Sequence, residues 1–572
     1  MIWDPALLTK IWVAAAACLP ALCAMAPAVS EGRHGRNLIA WSAAPALGAA
    51  LFLHDGSSAV YPWVFLHARI GIDPTGRVFL LFTSALWLLS GIYATSYLRS
   101  DPRQGRFFFF YGLAMSGNLG LILAQDMISF FVLFALMSFA SYGLVVHTGE
   151  PEARRAGRVY IILVVIGEVL LFSGLILLAG AGEHYDLLHL APGGVSPAAR
   201  LLLITGFGIK AGALPLHVWL PLAHSAAPTP ASAVLSGSMI NAGLLGWIRF
   251  LPPGSGPEME PLWGAALITA GLAAAFYGVL LGITQSKPKT ILAYSSISQM
   301  GLITSAFGLS LFEPAASVPA YQSVLLYAMH HGFAKGALFL GVGIMPAACG
   351  PWRFRLARGG LALAALSLAG APFTSGSFAK AWVKIAAASM SQPASIVLPI
   401  LLSIAAVGST LLMGRFFQAL ARSVQVPDHA AGKAMWIPWM GLLAPTLLIP
   451  PLYPTAAPVA TFTIAAVWPV AVGMALLLLA WAALRRGVSV KMPHLPPGDL
   501  VELYSAIFVG LRRAWGHVWV TGGVECRFRE TLAKVFSKAF AAGHALEAIL
   551  GNWRVSGLLF LFLMFVFYLS SF

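Results

Sequence analysis

The sequence predicts an all-α polytopic membrane protein, and three observations carry that reading. Hydrophobic residues make up 59% of the chain and charged residues only 10%, a balance that cannot cover a water-facing surface. Apolar stretches of about 20 residues, the length a helix needs to cross the hydrocarbon of a bilayer, follow one another almost end to end. The basic residues behind the formal charge of +15 fall in short runs between those stretches, as cytoplasmic loops require, which excludes a nucleic-acid-binding reading.

Sixteen spans are expected. The first eight lie at about 4–27, 37–54, 77–98, 107–125, 127–147, 158–180, 201–222 and 231–251. The remaining eight lie at about 262–284, 290–310, 322–346, 357–391, 394–421, 434–451, 464–485 and 555–571. The first has no basic leader or cleavage site and reads as a retained span. Arg33 and Arg36 follow span one, Arg99 and Arg103 span three, Arg154 and Arg155 span five, Lys287 and Lys289 span nine. Arg353 and Arg355 follow span eleven, Arg422 and Lys433 span thirteen, Arg485 and Arg486 span fifteen. Placing those loops in the cytoplasm puts the N-terminus outside. A bacterial cytoplasmic (inner) membrane is the expected location. Cys18, Cys23, Cys349 and Cys526 are scattered, without the paired spacing of a metal site or a disulfide framework. No cofactor and no metal are expected in this chain.

Lysines inside apolar spans demand a reason, since a charge at mid-bilayer costs about 2.5 to 3.5 kcal/mol or more. Lys210, Lys335, Lys380 and Lys384 are of this kind. Lys384 is placed nearer a membrane surface, where its stem can snorkel. Spans seven and twelve are interrupted by residues that break helices, Gly212 and Pro215 in one, Gly370 and Pro372 in the other. Each interruption lies close to a lysine. Two interrupted spans five apart suggest oppositely oriented five-helix repeats, spans four to eight and nine to thirteen.

Four segments sharpen this reading: "GIKAGALPLHVWLPLAHSAAPTPASAVLSGSMI", "SKPKTILAYSSISQMGLI", "HHGFAKGALFLGVG" and "GAPFTSGSFAK". Together they resemble the core of the antiporter-like subunits of respiratory complex I, energy-converting hydrogenases and multisubunit sodium/proton antiporters. The resemblance runs from about Asp73 to Lys384 and implies two inverted five-helix repeats, each with a broken helix and a half-channel. It further implies that Lys210 is the broken-helix lysine of the first half-channel, Lys335 the connecting lysine and Lys380 the terminal one. His331 precedes Lys335 by one helical turn on the same face. His330 points about 100° away and is expected to be peripheral to the path. His217 is expected as a relay or water-ordering group, and Asp126 as a helix cap.

Departures from the family pattern are specific. The usual span-five acid is replaced by Ala135, Asn241 stands where many hydrogenase-type relatives carry lysine, and Ala381 follows Lys380 where an acid is common. Glu168 in span six is expected to take the place of the missing acid and to pair with Lys210.

The organisation expected is N-terminal helices over 1–106, a first repeat over 107–251, a second over 262–421 and accessory helices over 434–485. An amphipathic lateral helix over 493–553, on the cytoplasmic side, and an anchor span over 555–572 complete it. The expected function is proton translocation within a complex I-like or membrane-bound hydrogenase type assembly, through Glu168, Lys210, His217, His331, Lys335 and Lys380. The expected partners are other membrane subunits, protons or sodium ions, and the bilayer. Alternatives are a sodium/proton antiporter module, a proton-coupled partner of an inorganic-carbon uptake complex, and a non-conducting scaffold. No redox centre is expected in this chain, although the assembly it serves can be an ion-translocating oxidoreductase.

Overall fold

A computed structural model describes residues 5–25, 33–180, 186–187, 195–252, 260–423, 431–452, 464–486, 495–498 and 500. Helix α1 (Pro5–Ala24) is followed by two nine-residue helices, α2 (Arg33–Trp41) and α3 (Ala44–Phe52), where one span was expected. Pro45 explains the division, because it offers no amide and its ring crowds the preceding turn, so it tolerates only the first turn of a new helix. A short antiparallel hairpin, β1 (Ser58–Tyr61) with β2 (Ala68–Gly71), pairs Ser58 with Gly71 and Tyr61 with Ala68.

The next helices start on carboxylate caps. Asp73 accepts from Gly76 N at 2.9 Å and opens α4 (Pro74–Tyr97). Helix α5 (Gln104–Leu123) leads to Asp126, which accepts from Ser129 N at 2.7 Å and opens α6 (Met127–Val145). The expected cap is thus in place, satisfying an amide that a helix N-terminus would otherwise leave bare. Helix α7 (Pro151–Ala179) turns Ile162, Val165, Ile166, Val169, Phe172 and Ile176 outward.

The seventh expected span divides into α8 (Pro197–Ala211), a 3-10 turn (Leu216–Val218) and α9 (Trp219–Ala226). Helix α10 (Thr229–Val234) runs through a π-helical turn (Leu235–Met239) into α11 (Ile240–Phe250). Helices α12 (Glu260–Thr284) and α13 (Pro288–Phe312) pack at backbone contact: a Cβ on Gly271 would lie 2.5 Å from the Gly301 carbonyl oxygen. Side-chain-free positions of this kind let membrane helices approach closely. The long α14 (Pro314–Ala347) precedes α15 (Pro351–Ala369) and α16 (Ser375–Ala388), the two halves of the twelfth expected span. Helices α17 (Ala394–Ser423), α18 (Lys433–Leu443), α19 (Pro445–Leu452) and α20 (Ile464–Arg485) close the described bundle.

Among the described residues, eleven helical runs are long and apolar enough to cross a membrane. Helices α13 and α14 are long but less apolar, because they bury Ser295, Ser296, Ser298, Gln299, His330, His331 and Lys335. A helix enclosed by other helices faces protein rather than lipid, so it can carry polar groups all round. The lateral helix and anchor expected over 493–553 and 555–572 lie, apart from 495–498 and 500, outside the described residues.

Candidate functional site

The first broken segment ends α8 at Gly212, whose φ of +69° is the left-handed conformation that a glycine adopts without strain. The amide of Ala213 returns to the Gly208 carbonyl at 2.9 Å, a helix-terminating turn. Lys210 therefore sits in the last turn of α8, where the partial negative charge of the carbonyl end favours a cation. It is 3% exposed. Its Nζ donates to Tyr160 Oη at 3.2 Å, and Tyr160 Oη donates onward to the Ser138 carbonyl at 2.9 Å. The Tyr160 and Trp219 rings stand 5.6 and 6.0 Å from the ammonium, within cation–π range. Trp219 is held by its own bond to the Ile209 carbonyl at 2.8 Å.

Glu168 lines the same small cavity as Lys210, Tyr160, Ser138, Phe134 and Trp219. About 10 Å³ there is open to the centre of a water-sized sphere, the lower limit for one water. Glu168 Oε2 is buried without a hydrogen-bond partner. The acid and the lysine thus share a chamber without forming a direct ion pair. From α6 it is Phe134 and Ser138 that reach this chamber, while Ala135, one residue along, brings no polar group.

His217 lies fully buried in the 3-10 turn, its ring 5.0 Å from that of Tyr277. Asn241 follows the π turn; its Nδ2 donates to the Gly237 carbonyl at 2.9 Å, leaving Oδ1 buried without a partner. A π turn inside a helix is a frequent mark of a functional position.

The centre of the bundle is built on α14. Lys335 is fully buried; its Nζ donates to the Leu292 carbonyl at 2.8 Å and to Ser295 Oγ, both on α13. His331, one turn earlier, is fully buried with neither ring nitrogen hydrogen-bonded. His224, on α9 and stacked 4.8 Å from Phe339, is in the same condition. Sequence reasoning passed over His224, although its seven-residue spacing from His217 offered a signal. His224, His331 and Lys335 lie within electrostatic range of one another.

The second broken segment repeats the device of the first. Helix α15 ends at Gly370, with φ of +96°, and Ala371 N returns to the Leu366 carbonyl at 2.9 Å. Lys380, on the far half α16, reaches back to donate to the Leu368 and Ala369 carbonyls at 2.9 and 2.8 Å. A Cβ on Gly370 would lie 2.9 Å from Lys380 Cδ, so this glycine also makes room for the lysine stem. Pro215 and Pro372 fall in the two linkers between half-helices. Ala381 is buried, and Lys384 is half-buried.

His330, on the same helix as His331, faces the second broken segment. It is buried, and its Nδ1 lies 2.8 Å from Ser375 Oγ at the start of α16, 3.3 Å from which stands Ser367 Oγ of α15. Around residues 323–341 α14 is buried on all faces, so both adjacent histidines are enclosed by protein. Tyr327 and Gln299, also unnoticed in the sequence, extend the polar interior: Tyr327 Oη donates to Gln299 Oε1 at 2.8 Å, and Gln299 Nε2 donates to Ser409 Oγ at 3.1 Å. Among the described residues, no three His, Cys, Asp or Glu side chains converge as metal ligands would.

Membrane-length helices, two interruptions that each present an ammonium to a helix's carbonyl end, and buried histidines between them define a polytopic membrane protein with an ionisable interior. Residues 124–406 match the profile of the family described as NADH:quinone oxidoreductase/Mrp antiporter, transmembrane. Residues 124–406 thus place the core of the chain in this antiporter-like subunit family, and the chain is an integral membrane protein. Hydrogenase-4 component B of Escherichia coli strain K12 is 32% identical over 308 residues, 51% of this chain and 46% of the relative. The chain thus spans about half the length of the curated relative it matches. A chain of the Mrp complex from Dietzia sp. DQ12-45-1b aligns over 94% of this chain and 63% of its own, with a TM-score of 0.74 and 21% identity. A chain of the membrane-bound sulfane sulfur reductase, an archaeal respiratory membrane complex, aligns over 82% of this chain and 99% of its own, at TM-score 0.65 and 18% identity. These two likenesses concern the fold.

Proposed function

We propose that this chain is the proton-translocating membrane subunit of a larger assembly of complex I-like or membrane-bound hydrogenase type. The observation that carries the reading is the pair of broken helices, each holding a lysine at its carbonyl terminus, with Lys335 and buried histidines between them. A buried ammonium weakly held by dipoles gives up its proton when a second positive charge approaches, and regains it when a carboxylate does. Input from a partner subunit shifts the Glu168 and Lys210 pair. The charge change passes by His217 to His331 and Lys335 and ends at Lys380. Glu168 takes the role that Ala135 has vacated, and Asn241 orders water without carrying charge. A sequence relative is a hydrogenase component, and the structural likenesses are to chains of an Mrp complex and a respiratory complex, which supports other membrane subunits as partners.

In this reading spans four to eight and nine to thirteen, of sixteen, form two inverted five-helix repeats, with the N-terminus outside a bacterial inner membrane and the lateral helix on the cytoplasmic side. Proton uptake into inverted vesicles holding the complete assembly tests it, with wild type compared against Glu168→Gln and Lys210→Ala at equal assembly. Loss of uptake in both variants supports the reading. Full uptake in both overturns it and leaves a scaffold. The family description also names the Mrp antiporter, so a second reading is a sodium/proton antiporter module; sodium-dependent proton exchange by the same vesicles would select it.

A further inference from the structure

One residue before His331, α14 carries a second histidine whose two ring nitrogens face different surroundings. His330 Nδ1 is hydrogen-bonded to Ser375 Oγ at 2.8 Å, whereas Nε2 is buried without a partner. The residue is 1% exposed. Among the described residues, Lys335 and His331 on its own helix and Lys380 on α16 lie within electrostatic range of it, and the Tyr327 ring stands 5.9 Å away. Beyond Ser375 lies Ser367 Oγ at 3.3 Å, and the next two carbonyls in the chain, Leu368 and Ala369, hold the Lys380 ammonium.

The first turn of α16 is pressed onto this histidine. A Cβ on Gly376 would lie 3.0 Å from His330 Cε1 and 1.7 Å from the Ser367 carbonyl oxygen. Glycine at this position is what lets both half-helices meet the ring. His331, one residue on, makes no hydrogen bond to α16 and instead leaves both nitrogens open.

We propose that His330 is the relay residue that carries a proton from the Lys335 region to the second broken helix. The inference rests on the translocation reading above and assigns one of its steps. With Nδ1–H donating to Ser375 Oγ, a proton from the Lys335 side forms a new N–H bond at Nε2. The imidazolium then breaks its Nδ1–H bond, Ser375 Oγ takes that proton, and Ser375 releases its own proton to Ser367 Oγ. Ser367 in turn releases its hydroxyl proton toward a Lys380 amine that has discharged outward. One proton enters at Nε2 and one leaves from Nδ1, the ring ends neutral with its proton on Nε2, and a reorientation of the ring that brings an N–H back to Ser375 resets it. An imidazole is suited to this because it has a donor and an acceptor on opposite edges. A serine pair can only pass on what it receives.

The test is proton translocation by vesicles containing the complete assembly, at matched complex content, for His330→Asn, Ser375→Ala and Lys335→Ala. Asparagine keeps a polar atom near the Nδ1 position, and so the contact to Ser375, but cannot relay. The proposal expects Lys335→Ala and His330→Asn both to lose translocation by about 100-fold, the scale of a lost acid–base group, and Ser375→Ala to lose it by about tenfold or more. Loss in Lys335→Ala with wild-type rates in His330→Asn overturns the relay and leaves the translocation reading standing. Wild-type rates in all three overturn both. Should His330→Asn fail to assemble, Ser375→Ala decides alone: a wild-type rate overturns the relay, and a loss with a normal complex content supports it.

Discussion

Lys380 closes the carbonyl end of a helix to which it does not belong: its Nζ bonds the Leu368 and Ala369 oxygens of α15 from a position on α16. The ammonium thus spans the break in the twelfth segment. This gives it a countercharge of peptide dipoles, with Ala381 beside it in place of an acid.

Lys380→Met keeps the length of the stem and removes the cation. Translocation should be lost, while the two carbonyls lose their donor and the assembly loses about 1 kcal/mol of stability. Vesicle assays and thermal unfolding of the purified assembly read the two effects separately. Unaltered translocation would remove Lys380 from the route.

Tyr160 joins Lys210 to the Ser138 carbonyl through a single hydroxyl. Tyr160→Phe keeps the ring against Trp219 and removes that bridge. Translocation should slow about tenfold, the kinetic equivalent of roughly 1.4 kcal/mol for one hydrogen bond to a charged group. Glu168→Gln, which abolishes the acid itself, should slow it further. Equal rates for wild type and both variants would mean the chamber is structural.

Arg249 donates to Asp73 at 2.9 Å and to the Ile122 carbonyl at 3.0 Å, with 5% and 18% of the two ionic side chains exposed. The pair fastens the end of α11 to the start of α4 and the end of α5. Arg249→Met should lower stability by about 1.5 to 3 kcal/mol, because it removes a charge-assisted pairing from a half-buried carboxylate. Asp73→Ala on top of Arg249→Met should recover part of that loss, although the cap on α4 goes with it. Unfolding midpoints of the three variants supply the cycle, and additive losses would argue against coupling.

Just beyond the end of α6, His147 Nε2 lies 2.9 Å from Asp101 Oδ2. Burial pushes the Asp101 carboxyl up, but bonds from His147 and the Arg103 amide outweigh it and hold the carboxyl below its ordinary range. Burial pushes the His147 imidazole down, against the pull of Asp101. The pair is therefore a neutral imidazole donating to a carboxylate. Both depressed values act in the same sense: stability is full above the ordinary histidine value of 6.5, and falls as pH drops below it and then through the carboxylate range. Hydrogen exchange at 99–106 and 146–150 should rise on acidification. In His147→Gln the step near pH 6.5 should vanish; an unchanged profile would exclude the pair.

The lysines, the interruptions and most helix positions were legible in the sequence because their signals are local. Gly212 and Gly370 end helices by backbone conformation, and an apolar run of membrane length reads the same wherever it packs. The division of 37–54 by Pro45 was overlooked, since hydropathy continues unbroken through it. The polar interior was read less well. His330 was set aside by its angle from His331, His224 was passed over, and Tyr160, Gln299 and Tyr327 gave no sign.

By itself the sequence determined the membrane class, the family and the residues too polar for lipid, because composition, span length and motif spacing are properties of neighbours along the chain. Only the tertiary structure decided that Glu168 opens into the Lys210 chamber, that Lys335 leans on α13 and that His330 meets Ser375. Those relationships depend on the rotation of each helix about its axis. In a bundle that rotation is set by which small residues let which backbones touch, as Gly376 does against Ser367, and spacing within one helix cannot reveal it.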